Sequence, residues 1–364
     1  MAIVPPLVTG EPFYDWVYRA LTFLVISCPC ALVISVPLSF FGGIGGASKA
    51  GVLIKGSNYI ETLANVETLV FDKTGTLTKG VFEVQKVETI INQDDFLRYV
   101  ASAEQSSSHP IAQSIVNYVD QPLSPVSQLT EIAGYGISVI IEGHQFLVGN
   151  EKLLAKENIS FQVVDEIGTI VYVTMDGKYI GHLVIADELK NNVAEALNEV
   201  KKLGVKRTVM LTGDNRGIAD AIGNKIGIDQ VYSELLPEDK VIHLEDELKR
   251  QQKTAFVGDG MNDAPVLARA DIGIAMGGLG SDAAIEAADV VIMDDQPEKI
   301  PVAIRIARKT MKIVKQNIVF AIGVKVIVLI LGALGFATMY AAVFADVGVT
   351  VIAVLNAMRC LRAK

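Results

Sequence analysis

Two long stretches with almost no charge constrain the folding of this chain more than any other feature. Residues 20–41 are 22 consecutive positions without a charged side chain, and the 42 residues 317–358 contain only Lys325 and Asp346 as charges. A helix of about 20 apolar residues is long enough to cross the hydrocarbon core of a bilayer. We therefore predict one membrane helix in the first stretch and two in the second, with a turn near residues 335–340.

The segment between these two apolar stretches is polar. A mean hydropathy of +0.39 is high for a soluble enzyme, yet 20% of the residues are charged. Basic residues flank the predicted spans at 49–55, 305–315 and 359–364, and by the positive-inside rule these flanks face the cytosol. We predict a multi-pass protein of the cell (plasma) membrane, in contact with lipid, whose catalytic middle is cytoplasmic. The net charge of −9 argues against nucleic acid as a partner.

The membrane stretches contain residues that are unusual in lipid. Cys28, Pro29 and Cys30 lie in the middle of the first stretch. Proline removes a helix hydrogen bond, and thiolates select soft ions such as Cu(I) and Zn(II) over Mg²⁺. Lys325 and Asp346 are costly in a membrane and are expected to face an ion pathway or each other. The alternatives are two cysteines that act as small hydrophobes at a kink, a lysine that reaches the cytosolic interface, and an aspartate solvated near the outer turn.

The run from Asp72 to Thr78, Asp-Lys-Thr-Gly-Thr-Leu-Thr, follows the apolar residues 69–71. It places a carboxylate where a predicted strand ends, and open α/β sheets hold reacting ligands at such ends. An aspartate there can accept a phosphoryl group as a covalent nucleophile. The alternative is a strand followed by a Thr/Gly turn, and seven specified residues in a row argue against it.

Two further predicted strands end in acidic loops. Residues 208–211 lead to Thr212-Gly213-Asp214, and residues 254–257 lead to a Gly-Asp-Gly-Met-Asn-Asp run at 258–263. With helices predicted at 191–203 and 218–226, the pattern indicates an α/β fold with a doubly wound parallel sheet. Its strand ends would gather carboxylates for Mg²⁺, and Thr212 and Lys240 can bind phosphate oxygens. A common turn and a solvated helix lysine are the alternatives for these last two.

Nucleotide must be held without a P-loop, because the pattern Gly-x-x-x-x-Gly-Lys-Ser/Thr does not occur in the sequence. The insert at 81–186 has the alternating runs of a small α+β module. Its candidate nucleotide contacts are Glu104, His109 and the glycines Gly134 and Gly136, which would allow close backbone approach. A helix start at His-Pro and a strand-end turn at Gly-x-Gly are the alternatives.

Taken in order, these motifs resemble those of heavy-metal-transporting P-type ATPases. The resemblance rests on Cys28-Pro29-Cys30, the run from Asp72, Ser108-His109-Pro110, Gly134-x-Gly136, Thr212-Gly213-Asp214 and the run 258–263. Lys325 and Asp346 are similar to residues of the zinc-, cadmium- and lead-exporting subgroup. The Asn-Tyr and Met-Ser pairs of the copper subgroup do not occur in the last two stretches.

The resemblance implies a function and a role for each motif. It implies ATP-driven export of Zn²⁺, Cd²⁺ or Pb²⁺ through an aspartyl phosphate on Asp72, with Mg²⁺ held by Asp72, Thr74 and Asp259. The remaining catalytic residues it implies are Lys73, Thr212, Gly213, Asp214, Lys240, Asn262 and Asp263. Glu104, His109, Gly134 and Gly136 would bind ATP, and Cys28, Cys30, Lys325 and Asp346 would form the transported-ion site.

The resemblance also fixes expected domain boundaries, with a haloacid dehalogenase-like phosphorylation domain interrupted by a nucleotide-binding insert. The expected segments are an outer stub (1–15), a membrane helix (16–41), the first segment of the phosphorylation domain (42–80), the nucleotide-binding domain (81–186), the second segment of the phosphorylation domain (187–305), a basic linker (306–316), two membrane helices (317–338 and 341–359) and a cytoplasmic tail (360–364).

Family members carry more than this chain does. An actuator domain with a Thr-Gly-Glu loop and the first membrane helices are expected in the full-length protein, and residues 9–11 match that loop by coincidence, because they fall on the outer side. Thr74 stands where related phosphatases place a second acid, so the phosphoenzyme should persist until an actuator activates water. The alternatives are a Cu(I)-type exporter, a membrane-anchored phosphatase, and a truncated fragment that binds ATP and metal without pumping.

Overall fold

The computed structural model describes residues 4–10, 12–107, 109–162, 164, 166, 168–259, 263–277, 282–334, 336 and 338–362. The chain divides into two compact units. The first comprises residues 1–70, 195–208 and 240–364, and the second comprises residues 71–194 and 209–239.

Thirteen strands lie within the described residues and form two sheets. In chain order they are β1 (Val52–Ile54), β2 (Thr68–Asp72), β3 (Thr78–Thr89), β4 (Val126–Ile132), β5 (Gly136–Ile141), β6 (His144–Gly149), β7 (Thr169–Met175), β8 (Lys178–Leu189), β9 (Arg207–Leu211), β10 (Gln230–Tyr232), β11 (Thr254–Gly258), β12 (Ile272–Met276) and β13 (Val290–Ile292).

The same described residues contain fourteen α-helices and one short 3-10 helix at Met358–Leu361. The α-helices are α1 (Val4–Thr9), α2 (Phe13–Ser27), α3 (Cys30–Lys49), α4 (Ser57–Ala64), α5 (Gln93–Glu104), α6 (Pro110–Tyr118), α7 (Glu151–Lys156), α8 (Val193–Lys202), α9 (Arg216–Ile226), α10 (Pro237–Leu248), α11 (Ala264–Arg269), α12 (Asp282–Ala287), α13 (Lys299–Ala333) and α14 (Met339–Ala357).

The larger sheet has seven strands in the order β1-β13-β12-β11-β2-β9-β10. β9 is parallel to β10, and β12 is parallel to both β11 and β13. The edge strand β1 is antiparallel to β13. The predicted doubly wound parallel sheet is therefore confirmed, with one antiparallel edge strand that the sequence did not indicate because three residues are too few for a pattern.

Backbone hydrogen bonds at Glu67 join the first ends of three strands. Glu67 N donates to Lys253 O at 2.9 Å, and Lys206 N donates to Glu67 O at 2.7 Å. Lys253 immediately precedes β11 and Lys206 immediately precedes β9. All five residues of β2 and of β11 are buried, as expected for central strands covered on both faces. Asp72 is thus the last residue of a strand held firmly at its start.

The smaller sheet has six antiparallel strands in the order β3-β8-β7-β6-β5-β4. One apolar cluster on it includes Phe96, Val100, Ile115, Phe146 and Leu183, so α5 and α6 are part of this core. A second cluster around Leu147, Leu153, Leu154 and Tyr172 is covered in part by Phe161 and Val164. The predicted α+β insert is confirmed.

Among the described residues, three helical segments are long and apolar enough to cross a membrane: Cys30–Lys49, Lys299–Gly332 and Ala342–Leu361. The number matches the prediction, but the first helix differs from the expected span 16–41. It is broken after Ser27, and α3 begins at Cys30, because Pro29 has no N–H to donate and adopts φ −84° and ψ 41°.

The basic residues at 306–316, which we expected to form a linker, lie inside the 35-residue helix α13. Lysine and arginine are good helix formers, and Ala303, Ile304 and Ala307 bury one face of this part of the helix. A helix of this length continues without interruption from Lys299 to the membrane position of Lys325.

Glycines allow α3 to pack closely against the C-terminal helices. A Cβ at Gly46 would lie 2.6 Å from Cys360 O, and one at Gly43 would lie 2.5 Å from the Thr310 hydroxyl. Small residues at such contacts let membrane helices approach each other. The helix that carries Cys30 therefore has a fixed position against α13 and the segment after α14.

Candidate functional site

Asp72 ends β2 and is 4% exposed. The loop that follows folds back at once, because Leu77 N and Thr78 N both donate to Lys73 O at 3.0 and 3.1 Å. Gly75 adopts φ +72°, in the left-handed region where a side chain is disfavoured. Lys190 Nζ donates to Gly75 O at 2.5 Å and anchors the middle of the loop. The carboxylate is thus presented from a closed, anchored turn.

The ammonium of Lys73 lies between two carboxylates. Lys73 Nζ is 2.8 Å from Asp214 Oδ2 and 3.7 Å from Asp187 Oδ2. Thr78 donates from its hydroxyl to Asp187 Oδ2 at 2.5 Å. Burial raises the pKa of the Asp187 carboxyl, while Thr78 and Lys73 act in the opposite direction. A buried cation is therefore held one residue after Asp72 with two acidic neighbours to balance it.

The turn at 212–214 is also fixed by its own hydrogen bonds. Thr212 is 2% exposed, and its hydroxyl accepts from Asp214 N at 3.1 Å. Leu235 N donates to Thr212 O at 3.1 Å, and Glu234 N donates to Asp214 O at 2.8 Å. A Cβ on Gly213 would lie 3.3 Å from Leu235 O, so little space remains there for a side chain. Asp214 is thereby aimed at Lys73.

In the other unit, Lys240 Nζ is 2.9 Å from Asp263 Oδ1, and the side chain of Asp263 is 3% exposed. Asp263 precedes α11, where its carbonyl accepts from Leu267 N at 2.8 Å. A Cβ on Gly258 would lie 3.2 Å from Asp263 Oδ2, so the glycine makes room for this carboxylate. Asp259 follows β11 directly and is half-buried. Asn262 lies outside the described residues.

Each unit offers oxygen donors at a strand end. In the second unit, Asp72 supplies a carboxylate and Thr74 an exposed hydroxyl, and in the first unit Asp259 supplies a half-buried carboxylate. Mg²⁺ prefers oxygen ligands and keeps several waters, so the chemistry of these donors fits Mg²⁺.

In the insert, Glu104 is the last residue of α5 and is half-buried. Burial, and then the nearby Glu131 carboxylate, raises the pKa of Glu104 to about 7. His109 is the N-cap of α6, where its Nδ1 accepts from Ile111 N at 3.3 Å. Since Nδ1 is the acceptor, the ring carries its proton on Nε2 and can donate it outward.

The glycines of the insert form the turn between β4 and β5. Gly134 adopts φ +78°, and a Cβ on Gly136 would lie 2.2 Å from Val148 O. Asn150 Nδ2 donates to Gly134 O at 2.9 Å, and Asn150 N donates to Tyr135 O at 2.9 Å. The turn is therefore rigid and offers bare backbone at its tip.

The four membrane residues lie around the helix break. The sulfurs of Cys28 and Cys30 are 2.6 Å apart. The carbonyl of Cys28, which the break leaves without a helix partner, accepts from Lys325 Nζ. Cys30 also interacts with the Asp346 carboxylate. Two thiols, one carboxylate and one ammonium thus lie close to the helix break.

A cavity adjoins this group. Its volume is about 30 Å³, and its lining includes Pro29, Lys325, Asp346 and the apolar Val324 and Val349. A volume of this size holds one or two water-sized occupants.

Three residues with clear contacts were missed by the sequence analysis: Asp187, Lys190 and Asn150. Asp187 follows the apolar run of β8, so the signal of a carboxylate at a strand end was present. It was overlooked because the residue lies at the expected boundary of the insert. Asn150 is a helix N-cap by its position before Glu151, and nothing in its sequence context indicated contact with Gly134.

Comparisons of the sequence and of the structure with known proteins agree with one another. A family model for haloacid dehalogenase-like hydrolases matches residues 66–271. The chain is 56% identical over 372 residues to a cadmium, zinc and cobalt-transporting ATPase of Bacillus subtilis (strain 168), a match that covers 100% of this chain and 53% of that protein. The chain spans about half the length of the curated relatives it matches.

Two solved structures are also similar. The crystal structure of a zinc-transporting PIB-type ATPase in the E2.Pi state superposes with a TM-score of 0.88 at 36% identity, covering 99% of this chain and 60% of that one. The catalytic domain of the CPx-ATPase CopB-B superposes with a TM-score of 0.57 at 30% identity, covering 71% of this chain and 97% of that one.

Proposed function

From the premise that this chain belongs to the heavy-metal-transporting P-type ATPases, within the haloacid dehalogenase-like hydrolases, we propose that it is the catalytic and C-terminal membrane portion of a pump that exports soft divalent cations. The substrates are Zn²⁺, Cd²⁺ and Pb²⁺, and ATP is the energy source. The observation that carries this proposal is the group formed by Cys28, Cys30, Lys325 and Asp346 at the helix break.

In the proposed reaction, an oxygen of the Asp72 carboxylate attacks the γ-phosphorus of ATP. The bond from that phosphorus to the β,γ-bridging oxygen breaks, ADP leaves, and an acyl phosphate remains on Asp72. This reaction is supported by the position of Asp72 at the end of β2, just before the loop that hydrogen bonds to Lys73 O close. Lys73, the next residue in the chain, has a buried ammonium. Asp214 keeps that ammonium in place, and Thr212, Gly213 and Lys240 bind the oxygens of the transferred group.

Mg²⁺ would be held by Asp72, Thr74 and Asp259, with Asn262 and Asp263 in supporting positions. When bound, it neutralises part of the phosphate charge. Asp263 is suited to a positioning role, since it already pairs with Lys240 at 2.9 Å.

ATP would bind to the insert. The half-buried Glu104, whose pKa is raised to about 7, and the Nε2–H of His109 supply polar contacts to the base. The turn from Gly134 to Gly136 has no side chain at its glycines and lets the nucleotide approach the backbone. Asn150 keeps that turn in shape.

For the cation, the two thiolates and the Asp346 carboxylate act as ligands. Lys325 compensates the carboxylate after the cation leaves, as its approach to the Cys28 carbonyl suggests. A Cu(I) pump is the second candidate, because two thiolates alone would suit that ion. The carboxylate and the lysine favour a divalent cargo.

Helix α13 is suited to couple the two events. It is one continuous helix from Lys299 to Ala333, and Lys299 Nζ is 3.2 Å from Asp294 Oδ2 near its start while Lys325 lies in its membrane portion. A movement of its first turns would therefore reach the ion site. We place the soluble domains in the cytoplasm and the helices in the plasma membrane, as the basic flanks suggest, with an actuator domain elsewhere in the full-length protein to hydrolyse the phosphoenzyme.

The test uses the full-length protein that carries this chain, with ATPase activity measured across Zn²⁺, Cd²⁺, Pb²⁺, Co²⁺ and Cu(I). Divalent ions should stimulate activity, and Cys28→Ala or Cys30→Ala should abolish the stimulation. Cys360→Ala is the matched control and should retain it, since Cys360 is remote in sequence from the helix break. Unchanged stimulation in the Cys28 and Cys30 variants would contradict the proposal, and stimulation by Cu(I) alone would favour the second candidate.

A further inference from the structure

A cluster of three potential metal ligands lies on the insert, within the second unit. Glu88, Glu166 and His182 each place one ligand atom within 4.8 Å of the others. Glu88 on β3 and His182 on β8 are direct cross-strand neighbours. Glu166 belongs to the segment between α7 and β7. We call these three residues the His182 cluster.

His182 suggests that this cluster binds a ligand, because one of its ring nitrogens is buried without a hydrogen bond to any described residue. The residue is 2% exposed, and its Nε2 has no hydrogen-bond partner within the part of the chain that the structure describes. That nitrogen points toward the carboxylates, at 3.9 Å from Glu88 Oε2. Buried polar atoms are normally satisfied, so an orphaned nitrogen aimed at two acids calls for a ligand.

The contact made by the other ring nitrogen, Nδ1, favours metal ligation through Nε2. Nδ1 lies 2.7 Å from the hydroxyl oxygen of Tyr179. When Nδ1–H donates to that oxygen, the lone pair is on Nε2, which is how outer partners orient metal-binding histidines.

The two carboxylates already hold a cation. Lys86 Nζ is 2.5 Å from Glu88 Oε1 and 2.5 Å from Glu166 Oε1. The lysine side chain is 44% exposed, so it can turn into solvent without losing buried contacts. Among the described residues this ammonium donates no hydrogen bond to Nε2 of His182, whereas a metal ion between the carboxylates could coordinate that lone pair as well.

We propose that the His182 cluster binds a divalent cation of the zinc type, which takes the place of the Lys86 ammonium between the two carboxylates. One imidazole and two carboxylates are a ligand set that Zn²⁺ accepts, with water in the fourth position. Two carboxylates balance the charge of the ion. A small contraction of the side chains brings the ligands into range, and the bound ion ties the segment that contains Glu166 to the β3–β8 edge of the sheet.

The test titrates Zn²⁺ into the purified full chain by calorimetry, in a background where Cys28, Cys30 and Cys360 are replaced by alanine to remove every thiolate. One Zn²⁺ should bind per chain. His182→Gln and Glu166→Gln should each weaken binding by at least on the order of tenfold. Lys86→Met should strengthen it, because the competing ammonium is gone. Circular dichroism verifies that each variant is folded.

Two matched controls are available on the same sheet. His144, an exposed histidine 2.6 Å from Asp176, becomes His144→Gln, and Lys79, which is paired with Glu188 at 2.5 Å, becomes Lys79→Met. Both should leave Zn²⁺ affinity unchanged. The proposal is overturned if the cysteine-free chain binds no stoichiometric Zn²⁺, if the His182 and Glu166 variants bind as tightly as their parent, or if Lys86→Met weakens binding.

Discussion

In two regions of this molecule a strand or a helix ends beside the most reactive side chains. In both, a lysine side chain donates a hydrogen bond to a backbone carbonyl near that end. After β2, Lys190 donates to Gly75 O at 2.5 Å in the loop that follows Asp72. At the break between α2 and α3, Lys325 donates to the carbonyl of Cys28. The backbone problem is the same in the two places, since each interruption frees a carbonyl that needs a donor.

The charged surroundings of the two regions differ. The strand-end loop contains a second lysine, Lys73, whose ammonium is within ion-pair distance of two carboxylates, Asp187 on β8 and Asp214 in the turn after β9. In residues 317–358, Asp346 is the single acidic residue that can balance Lys325. Charges in a low-dielectric medium interact more strongly and are harder to leave uncompensated. We therefore expect the loss of one charge at the strand end to be partly compensated by the charges that remain there. The loss of one charge in the membrane should have a large effect on activity.

Replacing Lys325 should therefore have the largest effect. Lys325→Met keeps the length of the side chain but leaves the Cys28 carbonyl without this donor and Asp346 without its counter-charge. Metal-stimulated ATPase activity of the full-length protein should fall by on the order of a hundredfold, about 3 kcal/mol of coupling. Lys315→Met, in the portion of the same helix before the membrane stretch, should change activity little.

Normal metal stimulation of ATPase activity in Lys325→Met would contradict this expectation, because the membrane lysine would then matter no more than a surface lysine. The measurement is the rate of phosphate release with and without saturating Zn²⁺.

Replacing Asp187 should have an intermediate effect. Asp187→Asn keeps the shape of a side chain that accepts from Thr78 at 2.5 Å but removes one of the two negative charges near Lys73. Because Asp214 remains, we expect phosphorylation of Asp72 to slow by about tenfold, with a loss of about 1–3 kcal/mol in stability. Rapid-quench labelling and thermal unfolding measure the two effects.

Glu188→Gln is the control for this variant, since Glu188 is the next residue and forms an exposed pair with Lys79. It should label and unfold as the parent does. Equal behaviour of the Asp187 and Glu188 variants would show that the buried carboxylate does not support Lys73.

Replacing Glu104 should have the smallest effect on stability, and this effect should depend on pH. Burial raises the pKa of Glu104 to about 7, above its usual value, so the folded protein binds a proton that the unfolded chain releases between these values. Stability is then highest at low pH and falls as the pH rises to about 7. Glu104→Gln imitates the neutral acid and should be more stable than the parent at pH 8 by about 1–2 kcal/mol, allowing for solvent access.

This difference should shrink as the pH is lowered toward 5. Thermal unfolding at a series of pH values measures it, with Glu83→Gln, an exposed glutamate of β3, as the control that should show no such trend. A Glu104 variant whose stability relative to the parent is independent of pH would show that the carboxyl is ionised normally.

The sequence predicted the elements whose residues carry a strong local signal. The apolar run before Asp72, the strands before Thr212 and Asp259, and the three candidate spans were all found because burial on both faces or contact with lipid demands continuous apolar residues. The doubly wound sheet and its α+β insert followed from the alternation of strands and helices.

What the sequence did not reveal depends on contacts between distant residues. That Lys190 reaches Gly75, that Asn150 holds Gly134, and that His182 is buried beside Glu88 are consequences of pairing across the sheet and of loop closure. Pro29 predicted the loss of a helix hydrogen bond near Cys30, but not the division of the expected span 16–41 into two helices. The extension of α13 through the basic segment was not predicted, because positive charges suit an exposed helix face as well as a linker.

The most direct test of the account is phosphorylation of the full-length protein by ATP labelled at the γ-phosphorus, in the presence of Mg²⁺ and Zn²⁺, followed by acid quenching. We predict a covalent label that hydroxylamine removes, that is absent in Asp72→Asn, and that persists in Asp94→Asn, an exposed aspartate at the start of α5. A label that remains in Asp72→Asn, or the absence of any label in the parent protein, would contradict the assignment of Asp72 as the residue that carries the phosphoryl group.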